Sequence, residues 1–172
     1  MKKVFKSRDD ITVADVLERY HYSPETGMFL HARSSTRARI GTVAGSVNKL
    51  GYLMLSFDGL LCLAHRVAWL VVHGKWPDDQ LDHVDGDRTN NMLSNLRECS
   101  HAENLQNRGR HSNNRSGVIG VCRFKPTGEW QAYICANGKQ IHLGYFATIE
   151  EAAAARAAAK EKYHQFNPID RA

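Results

Sequence analysis

The chain has no CxxC pair; its four cysteines, Cys62, Cys99, Cys122 and Cys135, are scattered. That spacing argues against structural zinc and gives no recognisable disulfide framework, so four reduced thiols in a cytosolic protein are expected. No apolar run approaches the ~18 residues of a membrane span, so no membrane is expected as a partner. Behind Met1-Lys2-Lys3-Val4-Phe5-Lys6 there is no apolar stretch, so no secretory signal is expected. Acidic residues are missing from two long segments. Leu30–Phe57 carries Arg33, Arg37, Arg39 and Lys49 without one; Asn104–Gly128 carries Arg108, Arg110, Arg115, Arg123 and Lys125 without one. Such one-signed stretches suit contacts with phosphates.

What is present fits a soluble globular protein of one ordinary domain or two small ones: 172 residues, 42% hydrophobic and 24% charged. The net charge of +5 adds a mild bias toward polyanions. Between the two basic segments lies the polar stretch Leu81-Asp82-His83-Val84-Asp85-Gly86-Asp87, followed by Asn90-Asn91, Asn95-Leu96-Arg97 and Asn104. Carboxylate, imidazole and amide oxygen together suit a hard divalent cation and a general base. The stretch lacks the glutamate and full spacing of an EF-hand loop, which disfavours calcium.

The expected fold class is α+β. Thr12-Val13-Ala14-Asp15 has the capping-box form and predicts a short helix to about Tyr20. Strand-like pieces follow at Met28–His31, Thr42–Val47, Tyr52–Phe57 and Leu60–Leu63, with Asp58-Gly59 a tight-hairpin signal. They predict a small antiparallel sheet. Ala64–Gly74 has helical length and apolar residues round much of its circumference, so it should be buried, with Gly74 as its C-cap. His65 reads first as a structural histidine at the helix start and second as a site residue. Gln80–Val84 reads as a strand delivering Asp82 and His83, with Asn95–Cys99 as the returning strand. Ser100-His101-Ala102-Glu103 caps a helix to about Arg108 that carries Asn104.

His83, Asn95 and Asn104, with Asp82 ahead and Asn90-Asn91 between, resemble the HNH (ββα-metal) nuclease motif. From about residue 20 to 108, the run His65-Arg66-Val67-Ala68-Trp69 through Asn104 looks like HNH homing endonucleases of phages and introns. Asn104 stands where the family name has its last histidine. The resemblance implies that Asp82 and Asn104 hold one Mg²⁺ or Mn²⁺, with water and substrate phosphate completing the shell. It further implies that His83 is the general base and that Asn95 fixes its orientation. Asp85, Asp87, Asn90 and Asn91 are expected only to shape the loop. His101 reads equally as a surface residue and as a phosphate contact.

Gly109–Gly117 is rich in Gly, Ser, Asn and Arg, and residues 109–116 read as a linker between a nuclease domain, 1–108, and a DNA-binding domain, 117–172. Strands are predicted at Val118–Phe124, Glu129–Ala136 and Lys139–Phe146. Asn137-Gly138 marks a hairpin, and Thr148-Ile149-Glu150-Glu151 caps an alanine-rich helix to about Phe166. Gly120-Val121, Gly128-Glu129-Trp130, Leu143-Gly144-Tyr145-Phe146 and the capped helix start resemble the plant ethylene-response-factor (Apetala-type) domain, implying a three-stranded sheet that enters the major groove. Alternation puts Trp130, Ala132, Ile134, Ile141 and Leu143 in the core. Gln131, Tyr133, Cys135, Gln140 and His142 fall on the other face, with Arg123 and Lys125 adding charge. The chain departs from the plant domains in lacking their arginines and tryptophans on that face.

Together these readings predict an endonuclease that hydrolyses phosphodiesters of double-stranded DNA, acting as a monomer that nicks, in the cytoplasm of a bacterial or phage-infected cell. Arg37, Arg39, Arg108, Arg110 and Arg115 are further candidate DNA contacts. The competing classes are a non-catalytic DNA-binding regulator with a decayed core and a structure-specific or RNA-directed nuclease.

Overall fold

Thr12 caps the first helix as its spacing predicts: Oγ1 accepts from Asp15 N–H, and Asp15 Oδ2 accepts from Thr12 N–H at 2.8 Å. The structure, a computed structural model, describes residues 5–36, 38–106, 113–136, 138–164 and 166. Helix α1 (Val13–Leu17) stops short of the expected end, because Tyr20 opens strand β1 (Tyr20–Tyr22). Tertiary packing overrides helical spacing here. Arg19 is bonded to Asp58 at 2.7 Å, and the buried Tyr20 ring sits edge-on to Phe29 and Phe57.

Strand β1 pairs antiparallel with β2 (Phe29–His31). A three-stranded antiparallel sheet follows, ordered β3 (Ser46–Val47), β4 (Leu53–Phe57), β5 (Leu60–Leu63). The single small sheet expected is therefore two sheets, and the strand expected from Thr42 is confined to two residues. Asp58 and Gly59 turn the β4–β5 hairpin with φ of 52° and 99°, the left-handed conformations that a two-residue turn requires. Helix α2 (Ala64–His73) ends on Gly74 at φ 73°, as predicted. Val67 and Ala68 from α2 join the buried Phe29, Leu55 and Phe57 in the core of this part of the chain.

Strand β6 (Gln80–His83) pairs with β7 (Leu96–Cys99). Asn95, expected to open the returning strand, instead closes a 3₁₀ turn over Leu93–Asn95. Its side chain is bonded to the loop rather than laid along a strand. The chain divides into two compact units, Met1–Glu98 and Cys99–Ala172. The division falls ahead of the 109–116 stretch that composition suggests as the linker.

In the second unit, Ser100 caps helix α3 (His101–Gln106): its N–H and hydroxyl donate to Glu103 at 2.8 and 2.7 Å. Strands β8 (Val121–Arg123), β9 (Trp130–Ala136) and β10 (Lys139–Phe146) form an antiparallel sheet in the order β10-β9-β8. Asn137 of the expected hairpin lies outside the described residues. Helix α4 (Ile149–Tyr163) packs on the sheet and stops at Tyr163, where His164 Nε2 meets the Cys135 carbonyl at 2.7 Å. Its buried side includes Ala152 and Ala159, as the small residues suggest, but also Arg156 and Lys160.

Alternation fails once in this unit. The ladder shifts between His142 and Gly144, so that Tyr145 pairs with Gln131 and Phe146 with Trp130. Gly144 at φ 137° accommodates the bulge. Tyr145 is thereby turned to the exposed face and Phe146 to the helix-packed face.

Candidate active site

The candidate chemistry of the first unit gathers where β6 ends. Leu81, Asp82 and His83 are all buried. Asp82 Oδ2 accepts two bonds from Arg97 on the partner strand, from Nε at 3.1 Å and Nη2 at 2.8 Å. The guanidinium thus holds one oxygen of a buried carboxylate with two charge-assisted bonds.

The loop after His83 is held by its own amides. Asn95 Oδ1 accepts from Asp85 N–H at 3.0 Å, while Asn95 Nδ2 donates to Asp85 Oδ1 and to the Asn90 carbonyl, both at 2.9 Å. Asn95 therefore braces the loop. A partner of the His83 ring is Asn91, which the sequence assigns only to loop shape. Asn91 is 1% exposed, and its Oδ1 lies 3.4 Å from His83 Nε2. The amide's orientation is set independently, because Nδ2 donates to the Thr89 carbonyl at 2.9 Å. An amide oxygen can only accept, so this contact places the ring proton on Nε2 and the lone pair on Nδ1.

The segment carrying Asn91 is seated on the N-terminal hairpin. Tyr22 Oη donates to the Asn91 carbonyl at 2.7 Å, and Leu93 N–H donates to the Pro24 carbonyl at 2.9 Å. Gly27, at φ 70°, packs so closely that a Cβ there would stand 2.3 Å from Met92 N and 2.6 Å from Asn91 C. The turn at 23–27 is a buttress for the loop, a role with no signal in the local sequence.

His65 and Tyr52 complete the surroundings. The buried His65 ring lies edge-on to His83, with centroids 4.9 Å apart, and Tyr52 lies 5.5 Å from His65 and 6.1 Å from His83. His65 Nδ1 is buried without a hydrogen-bond partner. Burial, then the neighbouring His83 and Arg66, push the His65 imidazole down to about 3. Burial also lowers His83, opposed by the Asn91 bond and by Asp85, Asp82 and Asp87. Burial thus disfavours the imidazolium form of both rings. Burial disfavours the charged form of Asp85, but bonds from Asn90, Asn95 and Asp87 N–H outweigh it and its carboxyl falls below the usual range. Bonds from Thr89 do the same for Asp87.

Asn104 lies on α3 in the second unit, its N–H donating to the Ser100 carbonyl at 3.0 Å. Carboxylate and amide oxygens suit a hard cation. Among the described residues no three His, Cys, Asp or Glu side chains gather around one point.

On the second unit, Gln131, Tyr133, Cys135, Gln140 and His142 share the sheet face turned away from α4, as alternation predicts. Tyr145 joins them through the bulge. Arg123 pairs across from Trp130 and lays its guanidinium over that ring at 5.4 Å, which puts it on the opposite face. Lys125 and Arg115 are exposed, as is Arg39 in the first unit. Arg37, Arg108 and Arg110 lie outside the described residues. Among the described residues, no helix is long and apolar enough to cross a membrane.

Residues 62–106 match the family model described as HNH endonuclease. Over 77 residues, 44% of this chain, the sequence is 34% identical to Protein 3.8 of Escherichia phage T7, and the match spans 64% of that relative's length. A solved structure described as DNA binding and cleavage by the HNH homing endonuclease I-HmuI aligns over 84% of this chain and 80% of its own, with 19% identity and a TM-score of 0.41.

Proposed function

We propose that this chain, whose residues 62–106 form an HNH-type domain, is a metal-dependent endonuclease that hydrolyses phosphodiester bonds in double-stranded DNA. The observation that carries the proposal is the seat of His83: buried at the end of β6, with Asn91 Oδ1 against Nε2. A neutral imidazole with a directed lone pair is what a general base needs.

In this mechanism His83 Nδ1 takes a proton from the water that attacks phosphorus. The P–O3′ bond breaks, leaving a 5′-phosphate and a 3′-hydroxyl once the leaving oxygen is protonated. Asp85 and Asp87 favour the imidazolium that forms, since both act on His83 in that direction. Asn91 fixes the ring, and Asn95 holds the loop that carries it. Asp82 and Asn104 are the residues that would hold a single Mg²⁺ or Mn²⁺, which when bound supplies positive charge against the phosphate and the leaving 3′ oxygen. Arg97 holds Oδ2 of the Asp82 carboxylate.

The exposed face of the β8–β10 sheet serves to hold the duplex, with Lys125 and Arg115 on phosphates, in the manner of the ethylene-response-factor domain it resembles. Arg39 of the first acid-free segment would add a further phosphate contact. The protein works as a monomer that nicks, in the cytoplasm. Cleavage of duplex, branched DNA and RNA, each with Mg²⁺ and with EDTA, tests the substrate class. Metal-dependent cutting of the plain duplex is expected, and a preference for RNA or unpaired strands would overturn the proposal.

A further inference from the structure

We propose that the exposed face of the C-terminal sheet reads A·T base pairs. The proposal rests on the reading of this unit as a duplex-DNA-binding module and adds what it recognises.

The face is organised around Gln131 on the central strand. Cys122 and Tyr145 are its cross-strand neighbours on either side. Cys122 Sγ lies 3.9 Å from Gln131 Oε1, and His142 Nδ1 lies 3.3 Å from Gln131 Nε2. The amide is therefore held across the sheet by one neighbour at each end. An amide has two N–H donors and two acceptor lone pairs, so one of each remains for a ligand. A donor and an acceptor side by side match the N7 and N6–H₂ of adenine in the major groove.

Around the amide the surface is aromatic. The Tyr145 ring centroid is 4.7 Å from His142 and 4.8 Å from Phe124, and Tyr145 is 45% exposed. Apolar surface beside an adenine-reading amide suits the thymine C5-methyl group. Guanine readout, which uses Arg or Lys on O6 and N7, has no cation in place. Among the described residues, the strand positions of this face carry no Arg, Lys, Asp or Glu, and Arg123 is stacked on Trp130 on the other face. Glu129, just ahead of β9, accepts a bond from Thr127 Oγ1 at 2.6 Å.

Charge complementarity supplies the anchoring. Lys125, exposed in the turn between β8 and β9, stands at one end of this face and is placed to meet a phosphate. Position and sequence reading are thus divided between that turn and the face.

The test is selection of bound duplexes from a random library with the full chain in EDTA, repeated with Gln131→Ala, Gln131→Glu and Lys125→Ala. Wild type should enrich A·T pairs at adjacent positions, and Gln131→Ala should cut discrimination there by roughly 5- to 100-fold. Gln131→Glu, which can accept from cytosine N4 but not donate, should move the preference toward C·G. Lys125→Ala should weaken binding to all sequences alike. A G·C-rich site, no preference, or tighter binding of single strands would overturn A·T reading while leaving the module a DNA binder. If none of the three substitutions changes binding, both the inference and the DNA-binding reading of this unit fail.

Discussion

Replacing Asn91 with alanine separates the site described above from a loop merely bounded by histidine. The side chain is 1% exposed and makes two contacts of consequence, to His83 Nε2 at 3.4 Å and to the Thr89 carbonyl at 2.9 Å. A net intramolecular hydrogen bond is worth about 1 kcal/mol, and leaving the Thr89 acceptor without its donor adds a desolvation cost, so Asn91→Ala should lose about 2 kcal/mol of stability. The Tyr22 bond to the Asn91 backbone survives, so the loop keeps its seat. The His83 ring, however, is free to turn or to move its proton to Nδ1. Loss of a group that orients the reacting one costs on the order of 10–100-fold, and the loss should appear in kcat with KM nearly unchanged. Asn91→Asp keeps an acceptor for the Nε2 proton and should retain more activity than alanine. Single-turnover cleavage, thermal melting and ¹⁵N spectra of the histidine rings read the three effects separately. Asn91→Ala cleaving at the wild-type rate, with its His83 ring unchanged in the ¹⁵N spectrum, would refute the positioning role.

Gly27→Ala forces a Cβ into the Asn91–Met92 backbone at a left-handed φ and should cost about 2–5 kcal/mol; an unchanged melting temperature would remove the turn at 23–27 as a buttress. His65 should make the protein acid-labile. Its native value of about 3 lies below the ordinary 6.5, so the unfolded chain binds a proton first and stability falls as pH drops below 6.5, levelling near 3. By pH 5 the loss from His65 is about 2 kcal/mol, and urea midpoints at pH 8 and 5 should show a smaller loss in His65→Phe, where only the lowered His83 remains. Equal pH slopes in the two proteins would contradict this. Arg97→Leu leaves the buried Asp82 carboxylate without its two charged bonds and should destabilise by about 1–3 kcal/mol; a neutral result in denaturant titration would mean that the pair is not fixed in solution.

Much of this fold follows from local chemistry. The capping boxes at Thr12, Ser100 and Thr148, the Asp58-Gly59 turn and the Gly74 cap stand where their residue types predict. Local signals fail where distant groups decide. Tyr20 has helical spacing, yet Phe29 and Phe57 draw it into a strand. The bulge that turns Tyr145 outward depends on how β10 meets β9. Within the candidate site, Asp82-His83 is conspicuous as a motif, but one loop asparagine looks like the next. Only burial, the Thr89 bond and the distance to His83 distinguish Asn91 from Asn90. His65 belongs beside His83 because α2 packs there, which no spacing along the chain reveals.

The central claim is that His83 is the general base of a DNA endonuclease. Its most direct test is single-turnover cleavage of duplex DNA in Mg²⁺ by wild type and by His83→Ala, with DNA binding measured on both. The account predicts equal binding, cutting by wild type to 5′-phosphate ends, and a loss of roughly 10²–10⁴-fold in the variant, the range for a general base. Equal binding with no cleavage by either protein, or equal cleavage by both, would contradict it.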